Sequence, residues 1–131
     1  MRKIIVDLKD TRIKRRGLTI SGGEPLTYPK IFELLKLIHD LKHKCALFTN
    51  ATLINSKNIT QIASYVDEVQ ISMEGISKDE FEEIRGKNTY NKLINAIDLL
   101  KKHNIHIILA ITSIDSIIDD IETNLLPFLN R

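Results

Sequence analysis

A chain of 131 residues, 43% of them hydrophobic, is long enough to bury one core of its own and is expected to form a single domain. The 19 Lys and Arg against 17 Asp and Glu leave a formal charge of +2, too balanced to indicate a nucleic-acid surface; the local basic cluster Arg12, Lys14, Arg15 and Arg16 reads as a solvated turn before a strand. The single cysteine, Cys45, excludes an intramolecular disulfide framework, no charge-free apolar run approaches the ~20 residues that cross a bilayer, and no signal-like segment opens the chain, so a reducing, cytoplasmic setting is the expectation.

The opening segment supports two readings. Met1, Ile4, Ile5 and Leu8 fit one helical face, whereas Ile4-Ile5-Val6 favours a strand by β-branching; the helix is the expectation. Leu18-Thr19-Ile20 is the first clear strand, and it ends in a Gly22-Gly23 turn and Pro25. Ile31, Leu34, Leu35, Ile38 and Leu41 then repeat at three and four, which predicts an amphipathic helix from about Pro29 to Lys42. Cys45 to Thr49 reads as a buried strand, Ser56 to Ala63 as a short helix with Ser56 as N-cap, and Val66 to Ser72 as a third strand ended by Gly75. Ser77 with Glu80 three places on has the form of a capping box. A helix over Tyr90 to His103 leads to Ile105 to Ile111, a near-continuous apolar run with the character of a central parallel strand. Ser116 to Phe128 closes the chain as a helix whose regular part is limited by Pro127. Strands alternating with helices predict an α/β fold of repeated βα units on a parallel sheet of about four strands.

Ligands of such sheets collect at the carboxyl ends of the strands, so the residues that follow each strand are the place to look. The first strand is followed by Ser21-Gly22-Gly23-Glu24-Pro25, where two glycines let the backbone approach a ligand and present bare N–H and C=O groups. Thr49-Asn50-Ala51-Thr52 follows the second and Ser72-Met73-Glu74-Gly75 the third. Arg85-Gly86 lies beyond in a polar loop, where a guanidinium can pair with a carboxylate through two parallel bonds. Each position also has a plainer reading. Ser21 to Pro25 can be an ordinary βα turn, Ser72 and Glu74 can cap a helix or turn, and Arg85 can bridge to Glu82 or Glu83 on the surface. Cys45 reads as a small buried hydrophobe, and His39, His43, His103 and His106 show no metal-ligand spacing.

Taken in order, Leu18 to Pro25, Phe48-Thr49-Asn50-Ala51, Ile71 to Gly75, Ile84-Arg85-Gly86 and Tyr90 to Ile111 resemble the radical SAM superfamily across most of the chain, with the Arg-Gly loop leaning toward its peptide-modifying branch. The resemblance implies the middle portion of a partial TIM-like barrel that binds S-adenosylmethionine. It implies that the backbone at Gly22, Gly23 and Glu24, before Pro25, holds the methionyl amino group. Ser72 and Arg85 would take its carboxylate, Glu74 the ribose hydroxyls, and Asn50 would stand nearby. Ala51 occupies a place where the family has glycine, so the backbone there is expected not to turn as it does in a working member.

Family members carry a four-iron four-sulfur cluster on a Cys-x3-Cys-x2-Cys loop after the first barrel strand, and the cluster reduces the cofactor to a radical. With Cys45 alone, this chain is expected to hold no cluster and to be inactive by itself. About seventeen residues precede Leu18, so the family's first strand and cluster loop are expected to be missing, with Met1 to Lys14 matching the helix that follows them. The sixth strand is likewise expected to lie beyond Arg131, leaving residues 1–131 as one truncated domain. The alternative is a degenerate or split-gene binding module for S-adenosylmethionine or a peptide, or one that complements a cluster-bearing partner chain. An unrelated α/β enzyme using Glu24 or Glu74 as acid or base is the third reading, and no nucleophile and base pair supports it. Missing neighbours would leave Leu18 to Ile20 and Ile105 to Ile111 as sheet edges, so a homo-oligomer formed through those edges is expected, unless Lys3 to Leu8 forms a strand that covers one. No membrane or nucleic-acid partner is indicated.

Overall fold

The computed structural model describes residues 17–75 and 77–112, and in them four strands lie side by side in chain order, all parallel. They are β1 (Gly17–Ile20), β2 (Lys44–Thr49), β3 (Glu68–Glu74) and β4 (His106–Thr112). Parallel neighbours need crossovers, and the helices supply them: α1 (Ile31–Asp40), α2 (Ile59–Tyr65), then α3 (Lys78–Arg85) and α4 (Thr89–Lys102). The register sets Leu18 beside Cys45, Leu47 beside Val69 and Ile71 beside Leu109.

Alternation along the strands separates two faces. Cys45, Leu47 and Thr49 of β2 and Val69, Ile71 and Met73 of β3 are buried, and the apolar members pack in one core with Leu35 and Ile38 of α1, Ile62 of α2, Phe81 of α3 and Leu93 and Leu100 of α4. The alternate residues Phe48, Gln70, Ser72 and Glu74 are half-buried on the other face. That face is polar at the carboxyl end, which is where the candidate residues gather.

Two expectations need correction. The helix after β2 begins at Ile59 with Asn58 as N-cap, not at Ser56. Asn55 and Asn58 take up the chain ahead of it: Asn58 Oδ1 accepts from Asn55 N–H at 2.9 Å, Asn55 Oδ1 accepts from Lys57 N–H at 2.9 Å, and both side-chain amides donate to the Leu53 carbonyl. Arg85 is not in a loop but is the last residue of α3, with Gly86 as C-cap. Within the described sheet β1 and β4 are the end strands, and Ile108 of β4 is 37% exposed. The opening segment, the basic cluster at 12–16 and the helix expected over 116–128 lie outside the described residues. Among the described residues no helix is long and apolar enough to cross a membrane.

Candidate cofactor site

The loop after β1 is shaped by Glu24. Its side chain accepts from Leu26 N–H at 3.1 Å, capping the short 3-10 turn Pro25–Thr27, and Pro25 is buried at the first position of that turn. The same carboxylate crosses to β2, where Oε1 accepts from the Thr49 hydroxyl at 2.8 Å and Oε2 from Asn50 N–H at 3.0 Å. The Glu24 carbonyl is taken up as well, accepting from Thr27 N–H at 3.1 Å and from Thr27 Oγ1 at 2.7 Å. The backbone groups left open in this loop are therefore those of Gly22 and Gly23, which enter no hydrogen bond among the described residues. Gly22 has φ +149°, and a Cβ there would meet open space, so glycine serves the backbone path rather than close packing.

The Thr49 hydroxyl also accepts from Ala51 N–H at 3.0 Å. Ala51 is fully buried and takes the left-handed conformation at φ +61°. A left-handed turn is thus made here without glycine, at a conformational cost of roughly 1 kcal/mol relative to it. Asn50 Oδ1 accepts from Thr52 N–H at 3.0 Å and from Thr52 Oγ1 at 2.7 Å, which closes the loop beyond it.

The end of β3 is joined to α3. Gly75 has φ +81°, and a Cβ on it would lie 2.5 Å from the Cβ of Glu80. Only glycine allows this approach. Glu80 is the acidic member of the capping box the sequence announced: Glu80 N–H donates to Ser77 Oγ at 3.2 Å and Glu80 Oε2 accepts from Ser77 N–H at 3.0 Å. From the last residue of α3, Arg85 reaches back to Glu74, donating from Nε to Oε2 at 2.7 Å and from Nη2 to Oε1, while Nη2 also stands 3.3 Å from Ser72 Oγ. The expected surface rivals Glu82 and Glu83 are not its partners. The bonds to Glu74 raise the Arg85 pKa, and the charge of Glu24 adds to this.

These strand ends enclose a cleft of about 170 Å³, lined by Ser21, Gly22 and Gly23 from the first loop, Phe48, Thr49 and Asn50 from β2, Gln70 and Ser72 from β3, and Arg85. Gly22, Gly23, Asn50, Ser72 and Arg85 are thus brought together, whereas Glu24, Pro25 and Glu74 stand behind the lining. Phe48 and Gln70 were not foreseen, although in-register alternation places Gln70 on the face of Ser72 two residues on. The lining suits a zwitterion, with bare glycine carbonyls for an ammonium and a guanidinium and hydroxyl for a carboxylate. S-adenosylmethionine carries both groups on its methionyl end, and these residues fit it.

They do not fit an iron-sulfur cluster. Cys45 is the one cysteine of the sequence and lies at the amino end of β2, roughly 13 Å along the strand from Thr49. It is 1% exposed, and burial, helped by the charge of Asp67, pushes its thiol up to about 12, far from the thiolate that iron binding requires. Among the described residues no three His, Cys, Asp or Glu side chains group as a metal site.

The family and the fold have counterparts among known proteins. The chain is 42% identical over 71 residues to the anaerobic ribonucleoside-triphosphate reductase-activating protein of Vibrio cholerae, a match covering 50% of this chain and 46% of that protein. It is 30% identical over 87 residues to the AdoMet-dependent heme synthase of Methanosarcina barkeri, covering 65% of this chain and 25% of that one. The chain therefore spans about half the length, or less, of these curated relatives. Among solved structures, native anSMEcpe with bound AdoMet and Kp18Cys peptide superposes with a TM-score of 0.69 at 23% identity, over 82% of this chain and 33% of that one. SuiB of Streptococcus suis bound to S-adenosylmethionine gives 0.53 at 19%, over 89% of this chain and 33% of that one. At such identities the likeness is one of fold, that of four parallel strands from a larger TIM-like barrel. The family model for the radical SAM superfamily matches residues 1–123, and the chain belongs to that superfamily.

Proposed function

We propose that the cleft is the methionyl-binding half of an S-adenosylmethionine site, carried by a chain that brings no ligands for the cluster and is inactive in radical chemistry alone. The observation that supports this reading most is the convergence, on one 170 Å³ cleft, of residues from the ends of three adjacent strands and of Arg85. Gly22 and Gly23 offer carbonyls to the ammonium. Ser72 and Arg85 offer donors to the carboxylate, and Asn50 lines the same cleft. The reducing equivalent and the radical chemistry belong to a cluster when one is present, and nothing in these residues replaces it.

A cluster, when present, would share in holding the methionyl end, so affinity in its absence is expected to be weak. Titration of the ¹⁵N-labelled chain with S-adenosylmethionine at millimolar concentration is expected to shift the amides of Gly22, Gly23 and Asn50. Shifts elsewhere, with these amides unmoved, overturn the reading.

Residues 1–131 read as the middle of a partial barrel, in a cytoplasmic setting that suits a lone reduced thiol. The second reading is a degenerate or split-gene module that binds S-adenosylmethionine or a peptide, or that pairs with a cluster-bearing chain. It draws on the single, wrongly placed cysteine. The coding sequence upstream of Met1 separates the two: a Cys-x3-Cys-x2-Cys run there means truncation, and its absence means degeneracy. Self-association through the end strands β1 and β4 belongs to either reading.

A further inference from the structure

We infer that Glu74 is a positioning residue for Arg85 and not a ligand of the ribose, so that it governs recognition of the ligand's carboxylate from behind the cleft. The inference rests on the cofactor reading above. Three observations carry it.

First, Ser72 and Arg85 line the cleft and Glu74 does not. Second, both oxygens of Glu74 are engaged by one guanidinium, Oε2 by Nε at 2.7 Å and Oε1 by Nη2. A two-point contact with a planar fork fixes the plane of the guanidinium as well as its place. Third, Nη2 also meets Ser72 Oγ at 3.3 Å, so the two cleft-lining donors are tied to each other and to Glu74. The bonds among the described residues use Nε and Nη2, which leaves the Nη1 donors for an incoming carboxylate.

With side chains of Arg85 and Glu74 only 30% and 22% exposed, the pair is sheltered enough for removal of one partner to matter. Glu74→Gln keeps the shape but loses the charge and one of the two matched acceptors, so the guanidinium is no longer held in one plane. The consequence falls on ligands that carry a carboxylate. A ligand with ribose and no carboxylate does not sense it.

The test compares S-adenosylhomocysteine, which has both groups, with 5′-methylthioadenosine, which has the ribose alone, in NMR titrations of the whole chain. Glu74→Gln is expected to weaken the first by about tenfold and to leave the second within about twofold. Glu74→Asp, which keeps a carboxylate on a shorter stem, is expected to recover part of the loss and carries the same comparison if Glu74→Gln does not fold. The Arg85 Nε–H resonance, slow to exchange in the wild type, is expected to exchange fast in Glu74→Gln. Equal weakening of both ligands assigns Glu74 to the ribose and overturns the inference. Binding of neither ligand by the wild-type chain removes the cofactor reading itself, and this inference with it.

Discussion

Glu24 accepts the Thr49 hydroxyl at 2.8 Å across 25 positions of sequence, and that one hydroxyl also accepts the N–H of the left-handed Ala51 at 3.0 Å. The loop after β1 and the turn after β2 are therefore fastened through a single buried oxygen. Thr49→Val preserves the shape and removes both bonds, leaving a buried N–H without a partner. A loss of about 1–3 kcal/mol in urea unfolding is expected, with Thr49→Ser within about 1 kcal/mol of wild type. Equal stability of Thr49→Val and wild type refutes this account of the turn.

Gly75→Ala combines two penalties. A φ of +81° costs a residue with Cβ about 1–2 kcal/mol, and the new methyl meets Glu80 Cβ at 2.5 Å, which forces the capping box to move. Destabilisation of about 3 kcal/mol by urea or thermal unfolding is the expected outcome. A neutral substitution would show that β3 and α3 are not coupled in this way.

Anaerobic reconstitution with iron and sulfide is expected to leave the chain without a cubane charge-transfer band, since one buried thiol with its pKa pushed up to about 12 is its whole thiolate supply. Native Cys45 is likewise expected to resist alkylation near neutral pH and to react at once in denaturant. Iron bound at cluster stoichiometry, or rapid native alkylation, counts against the buried placement.

Asp67 sets an acid dependence. Burial by itself would raise its pKa, but Lys44 Nζ at 2.5 Å and Cys45 N–H at 2.9 Å outweigh burial and hold it below its ordinary 3.8. A carboxylate depressed in the folded state contributes stability that is complete above its unfolded pKa and is lost as pH falls through the lower folded value. Stability is expected to decline below about 3.8, and Asp67→Asn to flatten that part of the profile. The contribution is modest, because the side chain is 39% exposed and water screens the pair. An unchanged acid profile in Asp67→Asn rejects it.

Light scattering against concentration is expected to show a dimer or larger assembly. β1 and β4 end the described sheet, and β4 is seven residues long and free of proline, the kind of edge that pairs with another chain. A strictly monomeric species with both strands protected from amide exchange points to edges covered within the chain.

The strands were legible because β-branched runs such as Ile105 to Ile111 and the buried Cys45 to Thr49 carry their own signal, and the register then follows from parallel packing. The start of α2 was not, since two asparagines hold the preceding turn through bonds that no residue type announces singly. The site divides in the same way. Gly22, Gly23, Asn50, Ser72 and Arg85 could be named from their places after strands, but the partners of Glu24 and Arg85 could not. Sequence proximity offers Glu82 and Glu83 to Arg85, whereas the fold offers Glu74, eleven positions back. Local spacing cannot rank an ion pair that forms only when a helix returns over a strand end.

The glycine contact between β3 and α3 has a further result for any anion that arrives at this end of the sheet. Arg85 is presented by a helix whose first turn is wedged against the strand it serves, and its guanidinium is already clamped by Glu74. Immobilising such a long side chain on binding commonly costs about 0.5–1.5 kcal/mol. Here that ordering is completed when the chain folds, so the receptor meets its guest rigid and the encounter forfeits little entropy.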